Sequence, residues 1–161
     1  MDNKKFSKGL SIIELVLATA IVGAFLTAII FSFTSFLRLS FLNIKTVKAV
    51  FLAEEGIEIL KHLRNASWEE NLSFLVSNGV KGYYLNFTGS GWEVSEDNVF
   101  IDGLFERKFV LEDVYRDESS GQIVESGGTL DAGTRKLTVY LSWLSGDATT
   151  TKYITTYLAD I

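Results

Sequence analysis

The stretch Asn3–Ile30, NKKFSKGLSIIELVLATAIVGAFLTAII, places three lysines directly before a long apolar run. The run continues to Leu37, so Leu10–Leu37 holds 28 residues with Glu14 as its one charge. As a helix this run is about 42 Å long, which is enough to cross a bilayer with some tilt. The lysines at its N-terminal edge predict a cytoplasmic N-terminus, with the bulk of the chain outside.

Glu14 separates three interpretations of this segment. A conventional cleaved signal peptide is the first, since Ala18-Thr19-Ala20 has the small-x-small form of a cleavage site. Cleavage there would leave the apolar residues 21–37 at the mature N-terminus. A plain single-span anchor is the second, and it leaves the carboxylate unexplained, because a membrane carboxylate costs about 2.5 kcal/mol or more unless it is paired or protonated. The third interpretation must supply a partner for Glu14.

Residues 8–14, KGLSIIE, resemble the class III signal of type IV prepilins and pseudopilins. The resemblance implies that a prepilin peptidase cuts between Gly9 and Leu10 on the cytoplasmic side and that the new amine of Leu10 is methylated. It also places Glu14 opposite the terminal amine of a neighbouring subunit, where a buried pair sets the axial register. Leucine instead of phenylalanine after the cut, Phe31 where many major pilins have proline, and the lack of cysteine favour a minor pilin or pseudopilin.

Small residues follow the glutamate at helical spacing. Ala20, Ala24 and Ala28 recur every fourth residue, beside Gly23. Such stripes let helix backbones approach closely in lipid. Helix packing in a filament core and ordinary transmembrane composition both explain this stripe.

The helical pattern continues beyond the apolar run and predicts one helix from Leu10 to about Asn65. The apolar positions beyond the run are Leu37, Phe41, Ile44, Val47, Phe51, Ile57, Leu60 and Leu63. Residues 52–58, LAEEGIE, with LRN at 63–65 and then Trp68, resemble the helix of PilV-like minor pilins. Gly56 is predicted to permit close approach of a strand, and Trp68 to plug the core.

Past Trp68 the periodicity changes to that of strands. Five strands are predicted, at Tyr83–Phe87, Gly91–Val94, Phe105–Tyr115, Arg135–Leu144 and Thr149–Leu158. Residues 144–148 are predicted to form a hairpin loop, and 117–133 a long surface loop or a loose hairpin. The fold class is therefore α+β, and the resemblance makes it pilin-like, a long N-terminal helix packed on a small antiparallel sheet. The predicted division is a leader at 1–9, a transmembrane half-helix at 10–37, an amphipathic half at 38–66 and a β-rich head at 67–161.

Chemical motifs are sparse. The chain has a formal charge of −5, no cysteine and one histidine, His62. The basic residues form no stripe, so direct nucleic-acid binding is not predicted. No catalytic or phosphate-binding motif appears. We expect no enzyme, no cofactor and no metal site. Calcium binding by the acids in or beside the long loop remains open, with a solvated loop favoured; these acids are Asp113, Asp117, Glu118, Glu125 and Asp131.

The resemblance implies a structural protein of the inner membrane, single-pass, that moves into an extracellular or periplasmic type IV pilus filament. Its expected partners are the prepilin peptidase and N-methyltransferase, other pilin subunits and the inner-membrane assembly platform. Two alternatives stay open: a pseudopilin of a type II secretion or DNA-uptake system, and a membrane-anchored binding protein.

Overall fold

A computed structural model describes residues 11–76 and 81–161 of the chain. The helix α1 runs from Ile12 to Ala66, 55 residues, and a short helix α2 follows at Trp68–Asn71. The predicted long helix is confirmed over this range, while Leu10 lies outside the described residues. The chain divides into two units, the first ending at Ile44 and the second running Lys45–Ile161.

One antiparallel sheet lies in the second unit. Its strands are β1 at Tyr83–Phe87, β2 at Trp92–Ser95, β3 at Phe105–Arg116, β4 at Ile123–Val124, β5 at Thr129–Ser145 and β6 at Ala148–Ala159. The order across the sheet is β2-β1-β3-β5-β6, with the short β4 paired to β3. A long apolar N-terminal helix followed by one antiparallel sheet confirms the α+β prediction.

The stretch 117–133, predicted as a long surface loop or a loose hairpin, lies in a hairpin, since β3 and β5 pair on either side of it. Strand β5 begins at Thr129 and pairs with Arg116 of β3, so the predicted start at Arg135 is wrong. The side chain of Arg116 fixes this pairing, since its Nε donates to Asp131 Oδ2 at 2.6 Å. A turn tight enough for the pairing needs Gly128, whose φ is +85° and where a Cβ would meet the carbonyl oxygen of Arg116.

The β5–β6 hairpin is also tighter than predicted. Ser145 pairs with Ala148, which leaves only Gly146 and Asp147 in the turn. Gly146 has a φ of +66°, and two-residue hairpin turns favour glycine because they require left-handed backbone. The two long strands therefore stay paired to their ends.

One face of α1 covers one face of the sheet within the second unit. The helix supplies the small residues Ala49, Ala53 and Gly56, and the sheet supplies bulky ones opposite. The sequence predicts Val47 and Phe51 on the apolar face of the amphipathic half of α1. They are 54% and 65% exposed, so the prediction is wrong at these two positions. Small helix residues fit here because the inward side chains of the sheet are large. The buried residues of this contact include Ile57, Leu60 and Leu63 from the helix and Phe105, Phe109, Leu111, Leu137, Leu141 and Trp143 from the sheet.

The predicted close approach at Gly56 is confirmed. A Cβ at this position would lie 3.0 Å from Cδ of Arg107 and 3.5 Å from Cγ1 of Val139. Arg107 is only 3% exposed, and its Nη1 donates to the carbonyl of Leu52 at 3.1 Å and to Glu55 Oε2 at 2.6 Å. The arginine stem thus takes the space that a side chain on the helix would need.

Trp68 is buried, as predicted. Ser67 caps the short helix that carries it, its hydroxyl accepting from the backbone N–H of Glu70 at 3.2 Å. Asn71 donates back to the carbonyl of Leu63 at 2.9 Å, and this oxygen also accepts from the backbone N–H of Ser67 at 3.1 Å. The guanidinium of buried Arg135 lies 5.9 Å from the Trp68 ring, so a cation–π contact joins the helix end to β5.

Replacing Gly56 with valine tests the helix–sheet contact. We expect a loss of about 1–3 kcal/mol in the free energy of unfolding, because the added methyl groups overpack against Arg107 and Val139. The matched control is Glu54→Val, two residues earlier and exposed, which should change stability by about 0.5 kcal/mol at most. Urea unfolding of the detergent-solubilised full chain, followed by tryptophan fluorescence, measures both. Equal effects of the two variants would contradict the assignment of Gly56.

Candidate functional site

The apolar segment of α1 presents its side chains to the exterior all round. Every residue from 11 to 34 is exposed, including large side chains such as Phe25, Ile29 and Phe31. A segment of this composition that is exposed on all sides is compatible with an apolar solvent. Among the described residues, α1 is the one helix long and apolar enough to cross a membrane.

The threonines in this segment bond to their own helix. The hydroxyl of Thr19 donates to the carbonyl of Val16 at 2.9 Å, and that of Thr34 to the carbonyl of Phe31 at 2.9 Å. Thr27 donates in the same way to the carbonyl of Ala24 at 2.8 Å. These hydroxyls can therefore enter lipid without leaving a donor unsatisfied.

Glu14 differs from the threonines in chemistry and in position. It lies in the first turn of α1 and is exposed. A carboxylate only accepts hydrogen bonds, so it cannot bond to helix carbonyls as a threonine does. The positive end of the helix dipole favours an anion here, but only by about 0.3–1 kcal/mol in exposed positions. A full charge in lipid therefore still needs a cation.

The chain offers no such cation nearby within α1. Arg38 is the first basic residue after Glu14, 24 positions further along, or about 36 Å of helix. The predicted processing residues Gly9 and Leu10 lie outside the described residues, as do the lysines that precede them. Cleavage after Gly9 and methylation of Leu10 thus remain predictions.

The small residues of the predicted stripe lie on the exposed part of α1, and their role in helix packing stays a prediction. Ala20, Gly23, Ala24 and Ala28 are all exposed within the first unit. A Cβ at Gly23 would meet no atom within 4 Å, so packing within the chain does not require glycine there. Ala24 and Ala28 line a shallow apolar depression on the helix surface, bordered by larger side chains. The stripe offers a place for close approach of a second helix.

Four of the acids in and beside the long loop have partners of their own. Asp131 accepts from Arg116, and Asp113 lies 3.7 Å from the guanidinium of Arg135. Asp117 accepts from the hydroxyl of Ser119 at 2.6 Å and from the backbone N–H of Ser120 at 2.8 Å, and Glu118 accepts from Thr129. In the two described ranges, no three His, Asp or Glu side chains form a group suited to a metal ion. His62 lies exposed on α1.

Comparison with protein-family models, curated proteins and solved structures finds no match to this chain. The function of the candidate site is therefore inferred from the residues of this chain.

Sequence reasoning missed two features of the second unit. Arg107 and Arg135 are buried in β3 and β5, although arginine in a strand usually marks its solvated face. It also missed three exposed apolar side chains that meet at one end of the sheet, Phe100, Leu104 and Leu144. These residues are distant in sequence, and only the β3–β5 register brings them together.

The Asp117 turn predicts a pH effect. Hydrogen bonds, from the Ser119 hydroxyl first and then from Ser120, lower the pKa of Asp117 from 3.8 to about 2. Because the folded-state pKa is depressed, the stabilisation is present above the unfolded pKa and is lost as pH falls from 3.8 to about 2. Asp117→Asn should therefore be less stable than the parent near neutral pH, and the difference should shrink across that window.

Urea-unfolding midpoints of the full chain, measured at a series of pH values from about 6 to about 2, check this expectation. The matched control is Asp147→Asn, an exposed acid in the β5–β6 turn. A gap between parent and Asp117→Asn that stays constant across the whole range would show that the charge of Asp117 is not the cause.

Proposed function

We propose that the chain is a minor type IV pilin, most similar to the PilV-like group, that is processed after Gly9 and assembled into a pilus filament. One observation carries the proposal: Glu14 lies in the first turn of α1 and is the single charge of the apolar segment that ends at Leu37. The nearest basic residue that follows Glu14 in α1 is Arg38, 24 positions away, so the carboxylate requires a cation from another source. The terminal amine of a neighbouring subunit, freed by cleavage, is a cation at similar depth.

The threonines support this reading by contrast. Their hydroxyls are satisfied by helix carbonyls, so they place no demand on a neighbour. Glu14 requires a cationic partner in lipid. A partner at one fixed depth sets the axial offset between neighbouring helices. The small residues beside it permit the close helix contact that such a pair needs.

The helix of the second unit also offers surface for lateral packing. Val47, Val50 and Phe51 are 54%, 40% and 65% exposed on α1, away from the sheet. Exposed apolar side chains in a row on one helix are typical of an interaction surface. In a pilus, head-to-tail contacts between copies extend into an open filament. The filament would grow from the inner membrane through the assembly platform, with other pilin subunits beside this one.

Processing is the first test of the proposal. Co-expression with a prepilin peptidase should yield a mature chain that begins at Leu10 with a methylated amine. Intact-mass and N-terminal analysis measure this directly. The formal charge should change from −5 to −7, since residues 1–9 contain three lysines and one aspartate. Gly9→Leu is the control that should block cleavage, and persistence of Met1–Gly9 in the parent would favour a membrane-anchored binding protein.

Replacing Glu14 tests the register argument. Glu14→Leu should insert into the membrane normally, because the apolar run becomes uninterrupted. Its incorporation into sheared filaments should fall roughly tenfold or more, since loss of one partner leaves the buried amine unpaired. Thr19→Leu is the matched control, because its hydroxyl serves only its own helix. Immunoblots of membrane and filament fractions compare the two variants, and normal incorporation of Glu14→Leu would overturn the proposed role.

A further inference from the structure

Strand β6 forms one edge of the sheet over its whole length. It runs from Ala148 to Ala159, 12 residues, whereas strands of about 5–6 residues are the commonest. In the described ranges of the chain, β5 is the one strand that pairs with it. The pairing extends from Ser145 and Ala148 to Thr134 and Ala159 without a shift of register. The side of β6 that faces away from β5 is therefore a long, continuous sheet edge, which we call the open edge.

The two-residue turn decides which backbone groups point to the open edge. Ser145 and Ala148 close this turn as a hydrogen-bonded pair, so the even-numbered residues of β6 direct their N–H and C=O groups toward β5. The bond from the N–H of Asp160 to the carbonyl of Gly133 at 2.8 Å follows the same parity. The odd-numbered residues from 149 to 157 therefore direct their N–H and C=O groups to the open edge. A further strand can bond to these groups as β5 bonds to the others.

Proteins usually protect such an edge with proline, a bulge, a covering loop or a charged side chain. The chain contains no proline, and the β5–β6 register contains no bulge. Arg64 occupies one end only, where it donates to the carbonyl of Ala159 at 3.2 Å. Between Ala148 and Ala159 the one charged residue is Lys152. This lysine is therefore the feature of the open edge that selects what pairs with it.

Lys152 lies in the row of β6 that faces the covered side of the sheet. It has the same parity as Ile154, which packs against the core, and as Leu158, which is buried. Its own side chain is exposed, and none of the ion pairs between described residues includes it. Lys136 on the neighbouring strand differs, because it pairs with Glu112 at 3.2 Å. Lys152 thus presents an unpaired positive charge beside the open edge.

We propose that the open edge of β6 binds an extended segment of another protein that carries an acidic side chain opposite Lys152. The segment adds a strand to the sheet, and main-chain hydrogen bonds to the odd-numbered residues hold it. In an antiparallel pair, Lys152 faces its new neighbour across a non-hydrogen-bonded position, where the Cβ atoms are about 4.5–5.5 Å apart. A carboxylate at this position forms an ion pair with Lys152, whereas a second lysine is repelled.

Charge also makes a second copy of β6 the poorer occupant. The residues from Ala148 to Ala159 include no Asp or Glu, so two copies bring two lysines and no carboxylate to the shared edge. An acidic segment supplies the complementary charge. The proposal concerns the second unit alone, so it stands apart from the pilus function.

Two fluorescent peptides of about ten residues, long enough to cover the open edge, test the proposal on the detergent-solubilised full chain. Both alternate threonine with valine, and the central valine is replaced by glutamate in one peptide and by lysine in the other. Anisotropy titrations should show the glutamate peptide binding roughly threefold or more tighter, because opposite charges stabilise a cross-strand pair and like charges destabilise it. Lys152→Glu should reverse this preference.

Thr155→Pro is the control for main-chain pairing. The N–H of Thr155 points to the open edge, so proline removes this donor without removing a bond to β5. This variant should bind neither peptide, and its urea-unfolding midpoint checks that the fold persists. Amide hydrogen exchange in the parent, followed by NMR, is a second measurement that needs no variant. The glutamate peptide should slow exchange at Thr151, Tyr153 and Thr155, and should leave exchange at Thr156, which faces β5, unchanged.

Four results would overturn the proposal. Equal affinity of the parent for the two peptides would show that charge does not select the occupant. Unchanged exchange at Thr151, Tyr153 and Thr155 on binding would place the peptide elsewhere on the chain. Failure of both peptides to bind would show that the edge accepts no further strand. A dimer of the peptide-free parent that Thr155→Pro dissociates, measured by sedimentation, would show that a second copy occupies the edge. None of these results bears on cleavage after Gly9 or on entry into a filament.

Discussion

The second unit depends on the contact between Gly56 of α1 and Arg107 of β3. The missing side chain on the helix leaves room for the arginine stem, whose Cδ would lie 3.0 Å from a Cβ there. The guanidinium then bonds to Leu52 and Glu55 of the helix, and it lies 5.4 Å from the ring of Trp92. One side chain thus joins α1, β3 and β2. Glu55 is half-exposed, so its loss would leave the buried guanidinium with its bond to the carbonyl of Leu52. Buried side chains of α1 cover the inner face of the sheet together with Trp68, Leu72 and Leu75, so the contact lies within the core of the second unit.

The sequence predicts the elements of this fold better than their contacts. The period of α1 and the alternation in β3, β5 and β6 locate these elements, because each pattern repeats over many residues. Arg107 has the same parity as Phe105 and Phe109, yet its burial depends on Glu55, which is 52 positions away. The start of β5 is hidden by Gly- and Asp-rich composition, since the pairing of Arg116 with Thr129 leaves no periodic signal. The candidate site differs, because the prediction for Glu14 depends on residues next to it in sequence, and it stays a prediction.

The two units satisfy polar groups by different means. In the second unit, polar side chains bond across elements: Lys45 donates to the carbonyl of Leu144, and Arg64 donates to the carbonyl of Ala159. In the apolar segment, the threonine hydroxyls that donate do so to their own helix within four residues. Lipid cannot supply hydrogen bonds, so a polar side chain there must be satisfied locally or by another chain. In the proposed filament Glu14 belongs to the second case, because a carboxylate cannot bond to the carbonyls of its own helix.

In the proposed filament, the apolar surface of α1 holds helices together but hardly distinguishes one axial offset from another. Leucine and isoleucine side chains meet equivalent partners after a slip of one turn, about 5.4 Å. A carboxylate and an amine do not. At 4 Å and an effective dielectric of about 20 their attraction is about 4 kcal/mol, and one turn further away it is about 2 kcal/mol. The difference of about 2 kcal/mol favours the paired offset roughly thirtyfold per subunit. An ion pair of small net stability therefore suffices to select the register, because every competing offset keeps the apolar contacts and loses the charge contact.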